Sequence, residues 1–323
     1  MVQATLAALA FALAVPAAAA TLVPGDLVVV GFRNLEYIWT VWKLDPATMD
    51  TTRISTAGLV DQVGRAVVHS NGTIYLASRN NGVIAITPET GAQSVLVSTA
   101  DLGGRSPEGL ATAPDGGLYI TAGSGGAGTI FHRHAATGML QVVSAGGLLS
   151  RPTCLAVASD GTLYVGEREL SASPTPREYT YGSIVRVDPS GAQTLIAGAD
   201  EAGWLFFGPK DIAIAPDGSL LSVQYGVGGN RNALVVRTQI ADGASEVIPQ
   251  SPHHAGGMAF VPNGDVFLGG CEFGTGPDCL TYKTFRYPDG SPLLLWAWAI
   301  AVAPSSLTPT YRGSWGELKT RYR

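Results

Sequence analysis

Groups able to move protons or hold a cation are sparse in this chain, and those that stand out are carboxylates and one histidine pair. Glu108, Glu167, Asp211 and Glu272 each lie beside a short apolar run, and His253 and His254 are adjacent. An imidazole near a carboxylate can serve as a general base when a cation or hydrogen-bond donor stabilises the charge that develops. Glu108 and Asp211 are also the candidates for a divalent cation, although calcium requires six to eight oxygens. Arg33, Arg79, Lys210 and Tyr225 could orient a polar ligand. No Ser-His-Asp arrangement stands out, because Ser124 in Gly123-Ser124-Gly125 lacks the strand-turn-helix context of a nucleophile elbow. Gly123 to Gly128 precedes no helix that could present N–H groups to a phosphate, so it reads as a loop.

The three cysteines divide by context. Cys271 and Cys279 flank the turn-rich loop Glu272 to Asp278, and in an exported protein they read as a disulfide worth about 2–3 kcal/mol. A zinc site there would need further ligands at metal spacing. Cys154 lies among Leu155 and Val157 and reads as a small buried hydrophobe.

The elements that must position these groups repeat. The phrase Gly109-Leu110-Ala111-Thr112-Ala113-Pro114-Asp115-Gly116-Gly117-Leu118-Tyr119-Ile120 is a strand, a tight turn and a second strand. It returns at Cys154 to Val165, Asp211 to Ser222, Gly257 to Leu268 and, more loosely, Arg65 to Leu76. The turn glycines Gly72, Gly116, Gly161, Gly218 and Gly264 are separated by 44, 45, 57 and 46 residues. A period in the forties with several strands per repeat is the mark of a β-propeller. Third-strand turns such as Ile84 to Gly91 and Val185 to Gly191 occur six times, each leading into a short fourth strand. The missing opening strand is supplied by Ala299 to Pro304, while the chain begins with Asp26 to Val30, which matches a second strand. The sequence therefore predicts an all-β, six-bladed β-propeller of four-stranded antiparallel blades, its ring closed by a C-terminal strand that completes the first blade.

Small residues at Ala111, Ala156, Ala213, Ala259 and Ala301 follow large ones at Leu110, Leu155, Ile212, Met258 and Ile300, as packing around a narrow axis demands. Asp115, Asp160, Asp217 and Asn263 read as turn residues bonding their own backbone. His132 and His134 alternate with Phe131 and Arg133 on a third strand, towards the outer half of a blade.

The repeated "L-A-x-A-P-D-G-x-L-Y" phrase and the "D-P-x-x-G" turn resemble NHL-type six-bladed propellers and their gluconolactonase/regucalcin-like, strictosidine synthase-like and streptogramin lyase-like relatives, across about residues 25–304. The resemblance implies that the Pro-Asp-Gly turns share the bottom face. It places Gly64, Glu108, Thr153, Lys210, Gly256 and Trp298 at one equivalent position around the upper mouth. Second strands then end there at Arg79, Gly123, Glu167, Gln224-Tyr225 and Cys271-Glu272, with Arg33, His253 and His254 on the same face. Lactonase-like relatives hold a divalent metal at that mouth with carboxylates and amides. Here Glu108 alone offers a suitable oxygen at the matching position, and Asp211 follows one residue later. The lyase resemblance assigns Glu167 as the acidic residue after a second strand, with His253 or His254 as base.

Charged residues make up 14% and the net charge is −5, which excludes the basic footprint of a nucleic-acid binder. Thr5 to Val15 is apolar and leads through Pro16 into Ala17 to Ala20, the pattern of a signal peptide cleaved near Ala20, although no Lys or Arg precedes Arg33. Leu293 to Ala303 is apolar but too short to span a bilayer. The expected organisation is a signal peptide over 1–20, a propeller over 21–304 and an aromatic, basic tail over 305–323. The expected product is a monomeric, secreted or periplasmic module that binds a small molecule or protein at the upper face without a required cofactor, calcium being the metal to consider. The alternative is a lyase or hydrolase at the same mouth. The insertion Arg168 to Tyr181, with Tyr179 and Tyr181, would overhang it.

Overall fold

In the computed structural model the described residues are 20–32, 38–123, 127–168, 182–198, 208–224, 234–248, 254–260, 266–272, 281–287, 292–293 and 299–305. The expected signal peptide as far as residue 19, Arg33, Tyr179, Tyr181, Tyr225, His253, Cys279 and the tail after 305 lie outside them. Among the described residues no helix is long and apolar enough to cross a membrane.

Among the described residues, twenty-four strands form six four-stranded antiparallel sheets. The first holds β1 (Leu27–Phe32), β2 (Trp39–Leu44) and β3 (Thr51–Thr56); the second holds β4 (Val63–Val68), β5 (Ile74–Ser78), β6 (Gly82–Thr87) and β7 (Ala92–Val97). The third comprises β8 (Pro107–Thr112), β9 (Leu118–Ala122), β10 (Thr129–Arg133) and β11 (Leu140–Ala145), and the fourth β12 (Pro152–Val157), β13 (Leu163–Glu167), β14 (Ser183–Val187) and β15 (Gln193–Gly198). The fifth runs through β16 (Pro209–Ile214), β17 (Leu220–Gln224), β18 (Leu234–Thr238) and β19 (Ser245–Ile248). The sixth runs through β20 (His254–Phe260), β21 (Val266–Glu272), β22 (Thr281–Tyr287) and β23 (Pro292–Leu293). The last strand, β24 (Ala299–Val302), returns to the first sheet and pairs Leu27 with Val302 through Val30 with Ala299. Two further bonds flank that pairing, from Gly25 N to Ala303 O (3.0 Å) and from Ala303 N to Asp26 O (2.8 Å).

The leading strands touch in sequence, β24 to β4, β8, β12, β16, β20 and back to β24. Five of the six offer one large apolar side chain to their neighbours: Leu110, Leu155, Ile212, Met258 and Ile300 are all at most 3% exposed, and smaller alanines follow. The second sheet reverses the order, with buried Ala66 ahead of Val67.

The turn between leading and second strands is built identically in four sheets. Gly72, Gly116, Gly161 and Gly218 all adopt positive φ (78–87°), the region glycine enters without steric cost. The preceding Asn or Asp accepts from the residue two further on, as from Gly117 N to Asp115 Oδ1 (2.8 Å) and from Ser219 N to Asp217 Oδ1 (3.0 Å).

Sheets are also locked together at their outer strands. Gln93 Nε2 donates to Ser55 Oγ (2.7 Å) and Gln93 Oε1 accepts from Leu59 N (2.6 Å), joining the second sheet to the first. Gln193 repeats the device on Ser144 Oγ and Leu148 N, joining the fourth to the third.

Candidate functional site

One irregularity recurs at the start of five of the six leading strands, all but β24. The pairing register skips between Val63 and Ala66, Pro107 and Gly109, Pro152 and Cys154, Pro209 and Asp211, and Ala255 and Gly257. The extra residues are Gly64 with Arg65, then Glu108, Thr153, Lys210 and Gly256. A β-bulge takes a residue out of the ladder and re-aims its side chain, and bulges concentrate next to sites. The position picked out by repeat alignment is therefore one where side chains escape the pleat. Gly64 leaves no room for such a side chain, since an added Cβ would lie 2.3 Å from Glu108 O.

Three clusters form around this end. In the first, Arg65 and Asp211 form an ion pair, although β4 and β16 are three sheets apart in the ring. The pair therefore crosses the axis. Asp211 is fully buried, and its carboxylate also accepts from Ile212 N (2.8 Å) and Met258 N (2.6 Å). The Arg65 side chain is 15% exposed, and burial pushes its guanidinium down to about 10, still protonated at neutral pH. It also donates to Met258 O (3.4 Å), so sheets two, five and six meet at one point.

In the second cluster, Glu167 at the end of β13 is fully buried, and its Oε2 accepts from Ser150 N (3.0 Å) and Arg151 N (2.7 Å). Ser78 plays the same part in the second sheet, donating to Leu59 O (3.2 Å) and Asp61 O (2.8 Å). Both side chains stand opposite the first residue of a leading strand, Val63 or Pro152, and fasten the loop that feeds it. The Arg151 guanidinium lies 3.8 Å from Glu108 Oε1, which links Glu108 to Glu167 through one residue.

The third cluster surrounds Cys154. Thr153 donates to Gly166 O (3.2 Å) and to Pro209 O, and the Cys154 thiol lies 3.7 Å from the same carbonyl. Cys154 is free and buried; burial pushes its thiol up to about 12, with Thr153 and the Arg65 charge opposing. It therefore carries no thiolate at neutral pH and is no nucleophile.

The remaining predicted residues scatter. Arg79 is exposed and reaches Gln62 Oε1 (3.4 Å). Lys210 is half-buried at its bulge. His254 and Cys271 face each other in register between β20 and β21, and Glu272 ends β21. Arg33, Tyr225, His253 and the Cys271–Cys279 pairing lie outside the described residues. Asp211 and Glu167 thus depart from the expectation of open mouth groups: both are fully buried and bonded to neighbouring backbone. The residue that the repeat alignment should have flagged is Arg65. It shares a position, seven before the turn glycine, with Gly109, Cys154, Asp211 and Gly257, so opposite charges three repeats apart were there to be read.

The calcium that lactonase-like propellers imply does not fit this mouth. Bulge positions hold Gly64, Glu108, Thr153, Lys210 and Gly256, which supply one carboxylate. The second carboxylate, Asp211, already has the Arg65 guanidinium where a cation would have to sit.

No family model matches the chain, and no curated protein matches it. Solved structures do. TolB from Acinetobacter baumannii is 17% identical, with 87% of this chain and 67% of that one covered at a TM-score of 0.58. Regucalcin from Agrobacterium tumefaciens, described as a calcium-binding protein, is 16% identical over 87% and 97% at 0.55. A luciferin-regenerating enzyme is 9% identical over 85% and 95%, also at 0.55. At these identities the likeness speaks to architecture: the chain is an all-β propeller of four-stranded antiparallel blades with TolB- and regucalcin-like neighbours.

Proposed function

We propose that this chain is an exported binding module, NHL-like in its repeats, in which six blades close into one ring and the upper mouth engages a small molecule or a protein. The observation that carries this reading is how the mouth carboxylates are used. Asp211 is held by Arg65 and two backbone amides, and Glu167 holds the loop at Ser150 and Arg151. A general base must have a proton-accepting oxygen turned towards substrate, and buried carboxylates serving as braces make poor candidates. Glu108, Lys210, Arg151 and Arg79 remain half-buried or exposed, and both signs of charge are suited to a polar partner rather than to nucleic acid.

Export is supported by the apolar Thr5 to Val15 run and the small residues to Ala20, and it makes a Cys271–Cys279 disulfide consistent with compartment. Intact mass of protein recovered from the extracytoplasmic fraction checks both: loss of about the first twenty residues and resistance of two thiols to alkylation before reduction are expected. Full-length protein with three reactive thiols would count against export.

The lyase or hydrolase alternative is tested by offering gluconolactone with calcium, manganese or zinc. The binding reading expects hydrolysis at the uncatalysed rate. Saturable turnover that falls at least tenfold in Glu108→Gln would replace it with the enzyme reading.

A further inference from the structure

On the third sheet the turn aspartate meets chemistry that the fourth and fifth sheets do not provide. Asp115 Oδ1 accepts from Gly117 N and lies 3.0 Å from His132 Nε2, while Asp115 Oδ2 lies 3.5 Å from His134 Nδ1. One ligand atom from each of the three residues falls within 4.8 Å of the others. His132 and His134 are two apart, so they project to one side of the strand direction, and their rings are 4.1 Å apart. Tyr119, directly opposite His132 in the β9–β10 register, packs its ring 4.8 Å from that imidazole and fixes its plane. His134 is fixed from the other side. Its Nε2 is 3.2 Å from Gln141 Oε1, and its backbone closes the turn to Met139 and Gly138. With Nε2–H donated to that amide oxygen, the Nδ1 lone pair faces Asp115, the outer-shell arrangement by which metal-ligating histidines are oriented.

The fourth and fifth sheets show what plain charge balance looks like at this spot. The residue in register with Tyr119's counterpart is Arg186 in the fourth sheet and Arg237 in the fifth, each beside its own turn aspartate, Asp160 or Asp217. An arginine neutralises the carboxylate but has no lone pair to give a metal. The third sheet replaces it with His132 and adds a second imidazole.

The geometry points to a divalent transition-metal site formed by Asp115, His132 and His134 on the Pro-Asp-Gly face, with zinc as the representative ion. Zinc bonds of about 2.0–2.2 Å in a tetrahedron require ligand separations of about 3.3–3.6 Å; Asp115 lies 3.0 Å from His132 through one oxygen and 3.5 Å from His134 through the other, and with all three ligand atoms within 4.8 Å small side-chain rotations bring them to that spacing. Two imidazole nitrogens and one carboxylate suit zinc and its borderline neighbours, whereas calcium and magnesium prefer oxygen alone. Three protein ligands leave a fourth position, and with Asp115 and His134 both about 40% exposed that position is open to water or a partner's side chain. The site lies at the opposite end of the strands from the bulges, so it stands apart from the mouth and its proposed use.

The test uses untagged full-length protein, chelator-treated, and zinc chloride as the probe in titration calorimetry. The wild type is expected to bind one equivalent more than His134→Gln, and Asp115→Asn is expected to weaken that equivalent at least tenfold. Both substitutions are at exposed positions, and melting temperatures in chelator should show all three proteins equally folded. Cobalt(II) added to the wild type, and not to His134→Gln, should give the visible absorption of a four-coordinate nitrogen and oxygen field. Equal zinc stoichiometry and affinity in all three proteins, or no uptake by the wild type, would overturn the site. If a variant proves less stable in chelator, equal stoichiometry measured below its melting transition still overturns it.

Discussion

Asp211→Ala is expected to lower the melting temperature by roughly 6–10 °C. Breaking a buried ion pair from one side costs about 3–5 kcal/mol because the other charge stays behind, and in a chain of this length each kcal/mol moves the midpoint by about 2 °C. The stranded charge would be Arg65, whose Nε already has no hydrogen-bond partner among the described residues. Asp211 also serves the buried Met258 N, so its removal orphans an amide as well. The informative companion is the double variant Arg65→Met with Asp211→Asn. It removes the charge and keeps a carbonyl oxygen for Met258 N, and it should recover most of the loss, because apolar replacement of a buried pair is often neutral. Thermal unfolding of Arg65→Met, Asp211→Asn and the double completes the cycle. An Asp211→Ala protein melting within a degree of wild type would show that the axis is not braced by this pair.

Ending the chain after Trp298 should be more damaging still. The deletion removes Ala299, Ile300 and Ala301, all at most 6% exposed, and uncovers Val28, Val29 and Val30 along the open edge of β1. An exposed apolar strand edge invites pairing with another chain, so the expected product is aggregated or melts tens of degrees lower. The remedy follows from the register. Val302 and Leu27 are paired and Ala303 bonds to Gly25 and Asp26, so a rearranged chain with Ala299 to Ala303 placed before Asp26 through a tight turn should make a hairpin and restore folding. A truncated protein with wild-type melting would remove β24 from the ring's supporting strands.

These two features sat differently in the sequence. β24 could be read because its Ala-Ile-Ala-Val alternation copies the leading strands and the first sheet lacked one; both facts are local. The turns were equally visible, since Asp115, Asp160 and Asp217 need only their own backbone and the following glycine. The use of the mouth residues was harder to see. Glu167 looks like a free acid in Glu167-Arg168-Glu169, and only the fold reveals that it reaches back 16 and 17 residues to the amides of Arg151 and Ser150. Asp211 and Arg65 are 146 positions apart; they share one place in the repeat, but their meeting across the axis follows only once the repeats are closed into a ring. His132 lies on the third strand as expected and His134 stands one residue past its end, in the turn, and their meeting with Asp115 requires knowing how far the turn folds over β10.

The single inserted residue at the head of four leading strands has an evolutionary corollary. Glu108, Lys210 and Gly256 are displaced from their ladders, so their identity can change without disturbing the pairs Leu110–Ile120, Ile212–Ser222 and Met258–Leu268 just below, whereas Thr153 is held by its bonds to Gly166 O and Pro209 O. Mutation there is decoupled from foldability. Descendants of this chain could acquire new preferences one sector at a time while inheriting the same rotor.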